Sequence, residues 1–203
     1  MSSPPSWASS GPPDPVSGRL AGPELLERAV GYTRTSLQLV AHVDLTAPTP
    51  CSRWDLLALL RHMNDALAAF TEAAAIGYVD LVPVRGTDPG AELVERLKGR
   101  ACALLAAWAH HPVPGPVPVA DRELRSDLLA AAGALEIAVH GWDVARACGV
   151  DRPLPPALAR ELLDVVPLLV RDGDRPHRFA EPVDVPAHAS PGTRLLAALG
   201  RAG

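Results

Sequence analysis

Residues 128–142 read LLAAAGALEIAVHGW, and our prediction of the fold begins with this segment. Apart from the indole of Trp142, its only polar side chains are those of Glu136 and His140. A run rich in Ala and Leu favours a helix, and a helix this apolar is typical of a core that covers it on most sides. We therefore predict a central helix over residues 123–148, ended by Gly149.

Apolar patterns on both sides of this stretch predict the helices that bury it. We expect helices over residues 23–43, 89–109, 155–170 and 191–200, and one that follows a capping sequence at residues 52–55. In that helix Ser52 is the predicted cap, and an apolar stripe follows at three- and four-residue steps, namely Leu56, Leu60, Met63, Leu67 and Phe70. The predicted class is all-α: a four-helix bundle with crossover connections and short C-terminal helical or extended segments, the extended part at residues 179–185.

The composition indicates one folded domain behind a leader. The chain has 203 residues, of which 48% are hydrophobic but only 4% aromatic, and it carries 22 Pro and 16 Gly. Residues 1–22 hold five Pro, six Ser and three Gly, a composition that cannot bury enough surface to fold. We predict a disordered leader over residues 1–22 and a helical bundle domain over residues 23–203.

Charge and cysteine content exclude several functional classes. With 19 Lys and Arg against 23 Asp and Glu, the formal net charge is -4, so no basic surplus marks a nucleic-acid surface. Three cysteines at positions 51, 102 and 148 form neither a disulfide framework nor a paired metal motif. We see no secretory signal and no membrane span, and we expect a cytoplasmic protein without nucleic-acid or membrane partners.

Glu136 and His140 stand four residues apart and therefore lie on one face of the predicted helix. Burying an unpaired carboxylate costs several kcal/mol, so a partner is expected, and a metal ion can serve both side chains. A hydrogen-bonded or surface pair is the alternative. His62, inside the second amphipathic helix, is the best candidate for a third ligand. Two imidazoles and a carboxylate suit zinc, our first expectation, with nickel, iron, manganese or cobalt as alternatives.

We also have hypotheses about the roles of side chains near these three residues. Asp143, three residues after His140, can orient the free ring nitrogen of that histidine, or pair with Arg146 at the helix surface. Asp65 has the same relation to His62. Trp142 and Trp54 are expected in the core, with a substrate wall as the alternative reading. Cys51 is either a small buried residue or, near a helix start, a reactive thiol.

Three sequence blocks together resemble a known family. They are TPCSRW at residues 49–54 with the L-L-x-H pattern that ends at His62, LEIAVHGWDVARACG at 135–149, and FAEPVDVPAHASPGTRLLAALGRAG at 179–203. Over residues 23–203 the chain is similar to the DinB/YfiT-like metalloprotein superfamily. It is most similar to the actinobacterial branch related to the N-terminal domain of mycothiol-dependent maleylpyruvate isomerase. The resemblance implies a four-helix bundle and a divalent metal held by His62, Glu136 and His140.

Three functions follow from these expectations and stay open. The resemblance implies a metal-dependent enzyme that uses a low-molecular-weight thiol such as mycothiol, for thiol transfer or thiol-assisted isomerisation of a small electrophile. A second reading is a thiol-independent hydrolase, cyclase, isomerase or lyase that uses metal-bound water or Lewis-acid activation. The third is a non-catalytic metal-binding module. A small-molecule substrate is the expected partner, and the chain is a monomer or a homodimer.

Overall fold

The computed structural model describes residues 22–51, 54–77, 90–110, 116–119, 122–176 and 178–202. Within these ranges six α-helices, two 3-10 turns and one antiparallel strand pair form. In chain order they are α1 (Gly22–Gln38), a 3-10 turn (Leu39–His42), α2 (Leu56–Ile76), α3 (Gly90–His110), β1 (Pro116–Val119), β2 (Arg122–Arg125), α4 (Ser126–Ala147), α5 (Pro156–Leu169), a 3-10 turn (Asp172–Asp174) and α6 (Pro191–Ala198). The predicted all-α class is confirmed. The predicted leader lies outside the described residues, except for Gly22, which already belongs to α1.

Helices α1 to α4 form the bundle, and each packs against two neighbours. The packed pairs are α1 with α4, α4 with α2, α2 with α3, and α3 with α1. Helices α1 and α2 are consecutive in sequence but lie on a diagonal of the bundle, as do α3 and α4, so their connections cross over. Between residues 129 and 145, α4 is buried at every position except Ala132 and Glu136. The helix predicted to be central is therefore central.

The residue that caps α2 lies three residues after the predicted cap. Asp55, in an extended conformation, accepts a hydrogen bond from the backbone N–H of Ala58 at 2.8 Å and so caps the first turn. Ser52, the predicted cap, lies outside the described residues. The helix ends at Gly77, whose φ of 69° belongs to the left-handed region. The predicted stripe from Leu56 to Leu67 is buried, and Phe70 packs against the core while partly exposed.

A small hairpin replaces the predicted start of α4. The helix was expected from residue 123, but it begins at Ser126 because residues 122–125 pair as β2 with β1. Val117 stands opposite Leu124 in this pair and is fully buried. Burial of Val117, with Leu124 partly buried against the core, favours the strand pair over another helical turn.

The C-terminal third packs on the bundle through α4 and α1. Helix α5 contacts α4, α1 and α6. The extended segments predicted at residues 179–185 are not strands, although the backbone N–H of Val183 bonds to Ala197 O at 2.9 Å. Of the described helices, α4 is the one long and apolar enough to cross a membrane, and 83% of that apolar window is buried inside the bundle.

Candidate metal centre

Helices α2 and α4 bring the three predicted ligands together. Nε2 of His62 lies 2.5 Å from Oε1 of Glu136, and Nε2 of His140 lies 3.1 Å from the same oxygen. The three potential ligand atoms all lie within 4.8 Å of one another. The structure therefore places side chains 74 residues apart in sequence at one point. Among the described residues, they form the group of His, Cys, Asp or Glu side chains that can hold a metal ion.

The three side chains differ in the fraction of their surface that is exposed to solvent. The side chain of His62 is 36% exposed, that of Glu136 is 27% exposed, and that of His140 is 8% exposed. The cluster is therefore anchored in the bundle at His140 and reaches solvent at His62. This gradient leaves the cluster accessible to a small molecule.

Asp143 orients His140 as the sequence predicts. Its Oδ2 lies 2.9 Å from Nδ1 of His140, and its side chain is fully buried. Because Nδ1 is engaged with Asp143, Nε2 is the ring atom that faces Glu136 and His62. In the described part of the chain, the hydrogen bond and ion pair of His62 are with Glu136 and not with Asp65, so the orienting role of Asp65 stays a prediction.

Arg201 completes this chain of contacts, and sequence reasoning missed it. Its Nε lies 2.9 Å from Oδ1 of Asp143, and its Nη2 lies 2.8 Å from Oδ2. The residue follows α6, far from α4 in sequence. The one signal that points to it is the Leu-Gly-Arg sequence at residues 199–201, where a helix-ending glycine turns the chain.

Charge inside the cluster is balanced by these contacts. Burial raises the pKa of Glu136, but the charges and hydrogen bonds of His140 and His62 outweigh it and hold that pKa well below its usual range. Burial lowers the pKa of His140, but Glu136 and Asp143 raise it further, to about 9. Burial likewise raises the pKa of Asp143, and bonds from His140 and Arg201 lower it below its ordinary value. Without metal, the cluster is an ionised carboxylate beside a protonated imidazole.

Trp54 covers one side of the cluster. Its ring centroid lies 4.4 Å from that of His62 and 5.8 Å from that of His140. The tryptophan is partly exposed, so it borders both the cluster and solvent. Trp142 is only 3% exposed, which confirms its core assignment. Cys51 is partly buried and lies outside the three-residue cluster.

An apolar crevice enters the bundle beside Glu136. Its cavity volume is only about 20 Å³, and residues of α1, α2, α3 and α4 line it. Its apolar walls include Val30, Leu37, Met63, Leu67, Leu97 and Ile137. Glu136 lines both the crevice and the cluster.

The donor set fits a divalent first-row metal. Two imidazole nitrogens and a carboxylate oxygen are ligands that zinc, nickel, iron, manganese and cobalt accept. The hydrogen bond of His140 to Asp143 is the outer contact that metal-bound histidines usually make. Three ligands from the chain leave coordination positions for other molecules, as catalytic sites do.

The chain is a helical bundle with a candidate metal site between two of its helices. The sequence pattern of the mycothiol maleylpyruvate isomerase N-terminal domain matches residues 26–145, which is more than half of the chain. The chain therefore belongs to this family, a group of DinB-like domains. The matched segment contains the three clustered residues and Asp143 but not Arg201. No curated protein and no solved structure matches the chain.

Proposed function

We propose that this protein is a divalent-metal-dependent enzyme that acts on a small electrophilic substrate by thiol transfer or thiol-assisted isomerisation. The observation that carries the proposal is the convergence of His62, Glu136 and His140 at a point reachable from solvent. Zinc is the first candidate for the metal, and mycothiol, which gives the family its name, is the first candidate for the thiol.

In this proposal the ligand residues, Asp143 and Trp54 have separate roles. His62, Glu136 and His140 would hold the metal, and Asp143 keeps the Nδ1 proton of His140 so that Nε2 serves as the ligand atom. A divalent ion bound there supplies Lewis acidity, which lowers the pKa of a thiol or water and polarises a carbonyl group. Trp54 shields one side of the cluster from water.

The crevice beside the cluster is apolar but narrow. Its walls are side chains of Val, Leu, Met and Ile from four helices, and it adjoins the cluster through Glu136. Its space is about that of one water molecule, so it does not define the substrate further than a small molecule with an electrophilic carbon.

Solvent access to the cluster favours an enzyme over a purely structural metal module. In a structural site the chain closes the coordination sphere with a fourth ligand. In the part of the chain that the structure describes, three side chains form the cluster, and His62 is 36% exposed. A substrate or thiol can therefore reach the metal position.

Metal analysis combined with thiol-dependent turnover tests the proposal. Protein purified without chelators should carry close to one equivalent of a divalent metal, which His62→Ala and Glu136→Gln should lose while remaining helical. His42→Ala, an exposed histidine outside the cluster, is the matched control and should keep the metal. Turnover of small electrophiles that requires both metal and mycothiol supports the proposal. Metal-dependent turnover that does not require mycothiol would overturn the proposed thiol chemistry. The thiol-independent enzyme would then remain as the function.

A further inference from the structure

We infer that Arg201 is a positioning residue for the metal centre, because it holds Asp143 in the orientation that fixes His140. The inference deepens the proposed function and rests on it in so far as His140 is a metal ligand. Arg201 touches none of the three clustered side chains by a hydrogen bond or an ion pair among the described residues. The hydrogen-bonded path from Arg201 to the cluster therefore runs through Asp143, while the charge of Arg201 also interacts with Glu136 through space.

The guanidinium of Arg201 donates hydrogen bonds to both carboxylate oxygens of Asp143 along one edge. Nε lies 2.9 Å from Oδ1 and 3.2 Å from Oδ2, and Nη2 lies 2.8 Å from Oδ2. This bidentate contact fixes the plane of the carboxylate, which a single hydrogen bond would leave free to rotate. Oδ2 is then left facing Nδ1 of His140 at 2.9 Å. The guanidinium of Arg201 thus orients the carboxylate of Asp143, and that carboxylate orients the imidazole of His140.

Burial makes this contact more than a surface ion pair. The side chain of Asp143 is fully buried and that of Arg201 is 11% exposed. Exposed ion pairs contribute little, whereas removal of one partner from a buried pair leaves a charge without compensation and costs several kcal/mol. Asp143 therefore depends on Arg201 to remain a buried acceptor for His140.

The end of α6 delivers Arg201 to this position. Gly200 has a φ of 76°, and its N–H bonds to Ala197 O at 3.0 Å, while the N–H of Arg201 bonds to Leu196 O at 2.9 Å. These two bonds are the Schellman arrangement that reverses the chain after a helix. A side chain on Gly200 would overlap Ala180, so glycine is required there for space as well as conformation. The turn sends Arg201 back toward α4, 58 residues away in sequence.

If Arg201 had only a structural role, its contact with Asp143 would hold α6 against α4 without affecting the proposed metal ligand His140. The two roles differ in what happens to His140 when the protein stays folded. If Arg201 positions His140, its loss should alter both the Nδ1 proton of that ring and the affinity for metal. If it only fastens the C-terminal helix, its loss should lower stability alone.

The test compares Arg201→Gln, Arg201→Lys and Asp143→Asn with Arg194→Gln, an exposed arginine of α6 that serves as the matched control. Zinc affinity is measured by competition with a chelator, and Co²⁺ absorption reports the ligand geometry. In metal-free protein, ¹⁵N-edited NMR follows the Nδ1 proton of His140. Circular dichroism confirms that each variant is helical, and Arg201→Lys keeps a positive charge beside Asp143 if Arg201→Gln does not fold.

We expect Arg201→Gln to lose about 10- to 100-fold in zinc affinity, Arg201→Lys to lose less, and Arg194→Gln to match the original protein. Asp143→Asn should lose a similar factor, and the double variant should lose no more than the larger single loss, since both residues act through one path. Arg201→Gln with unchanged zinc affinity, Co²⁺ spectrum and Nδ1 proton overturns the inference. If the original protein binds no zinc or Co²⁺, the proposed metal function fails, and the Nδ1 proton alone decides whether Arg201 holds His140.

Discussion

Thr33 of α1 occupies the space that a side chain on Gly141 of α4 would need. A Cβ built on Gly141 would overlap Thr33 Oγ1 and lie 3.0 Å from Thr33 Cβ. The same hydroxyl donates a hydrogen bond to Ile137 O at 2.8 Å, one turn earlier on α4. Glycine at position 141 therefore sets the close approach of the two helices directly beside His140.

Gly141→Ala is expected to destabilise the protein. A methyl group forced against Thr33 must push α1 and α4 apart, and overpacking of this kind costs about 1–3 kcal/mol. The helix propensity of alanine returns at most about 1 kcal/mol. Urea denaturation should therefore show a lower free energy of unfolding, by roughly 1–2 kcal/mol.

The same substitution elsewhere supplies the control for Gly141→Ala. Gly99 lies exposed on α3, and nothing stands within 4 Å of the position its Cβ would take. Gly99→Ala should therefore raise the free energy of unfolding, by up to about 1 kcal/mol. If both substitutions shifted stability equally, the close contact of Thr33 with Gly141 would be refuted.

Asp55→Ala is expected to weaken the start of α2. The substitution removes the acceptor for the backbone N–H of Ala58, and loss of such a cap costs about 0.5–2 kcal/mol. Asp55→Asn keeps a capping oxygen and should retain most of the stability. Thermal unfolding followed by circular dichroism measures both. An alanine variant as stable as the asparagine variant would contradict the capping role.

Zinc affinity is expected to rise with pH, by about tenfold per unit between pH 6 and 8. The metal must displace the Nε2 proton of His140, whose pKa is raised to about 9, so proton competition weakens as pH rises. A chelator competition corrected for the chelator's own protonation measures the slope. A zinc affinity that stays constant over this pH range would exclude His140 as a ligand.

The metal-free protein is expected to lose stability between pH 6.5 and pH 9. The pKa of His140 is about 9 in the fold and about 6.5 in the unfolded chain. A raised folded pKa stabilises the fold fully below the unfolded pKa, and this contribution disappears as pH rises through the folded one. The expected loss is on the order of 3 kcal/mol. Urea denaturation at several pH values measures it, and His140→Gln should lack the slope; an equal slope in that variant would place the titrating group elsewhere.

Local rules predicted most of the helices and the three clustered residues. The apolar run of α4 leaves Glu136 and His140 as its exceptions, and periodicity places His62 beside the stripe of α2. Helical spacing and the cost of buried charge are short-range arguments, so one chain segment suffices for each. The pairing of residues 116–119 with 122–125 was missed because its support, the burial of Val117 opposite Leu124, depends on the surrounding helices.

The burial of α4, with a carboxylate and an imidazole on one face, can be read from the amino-acid sequence, because hydrophobic pattern and helical spacing are properties of a single segment. The contact of Arg201 with Asp143 and the fit of Thr33 against Gly141 are visible only in the folded protein. Those contacts join segments distant in the chain, and their distances depend on how α1, α4 and α6 pack. No pattern within one segment specifies that packing.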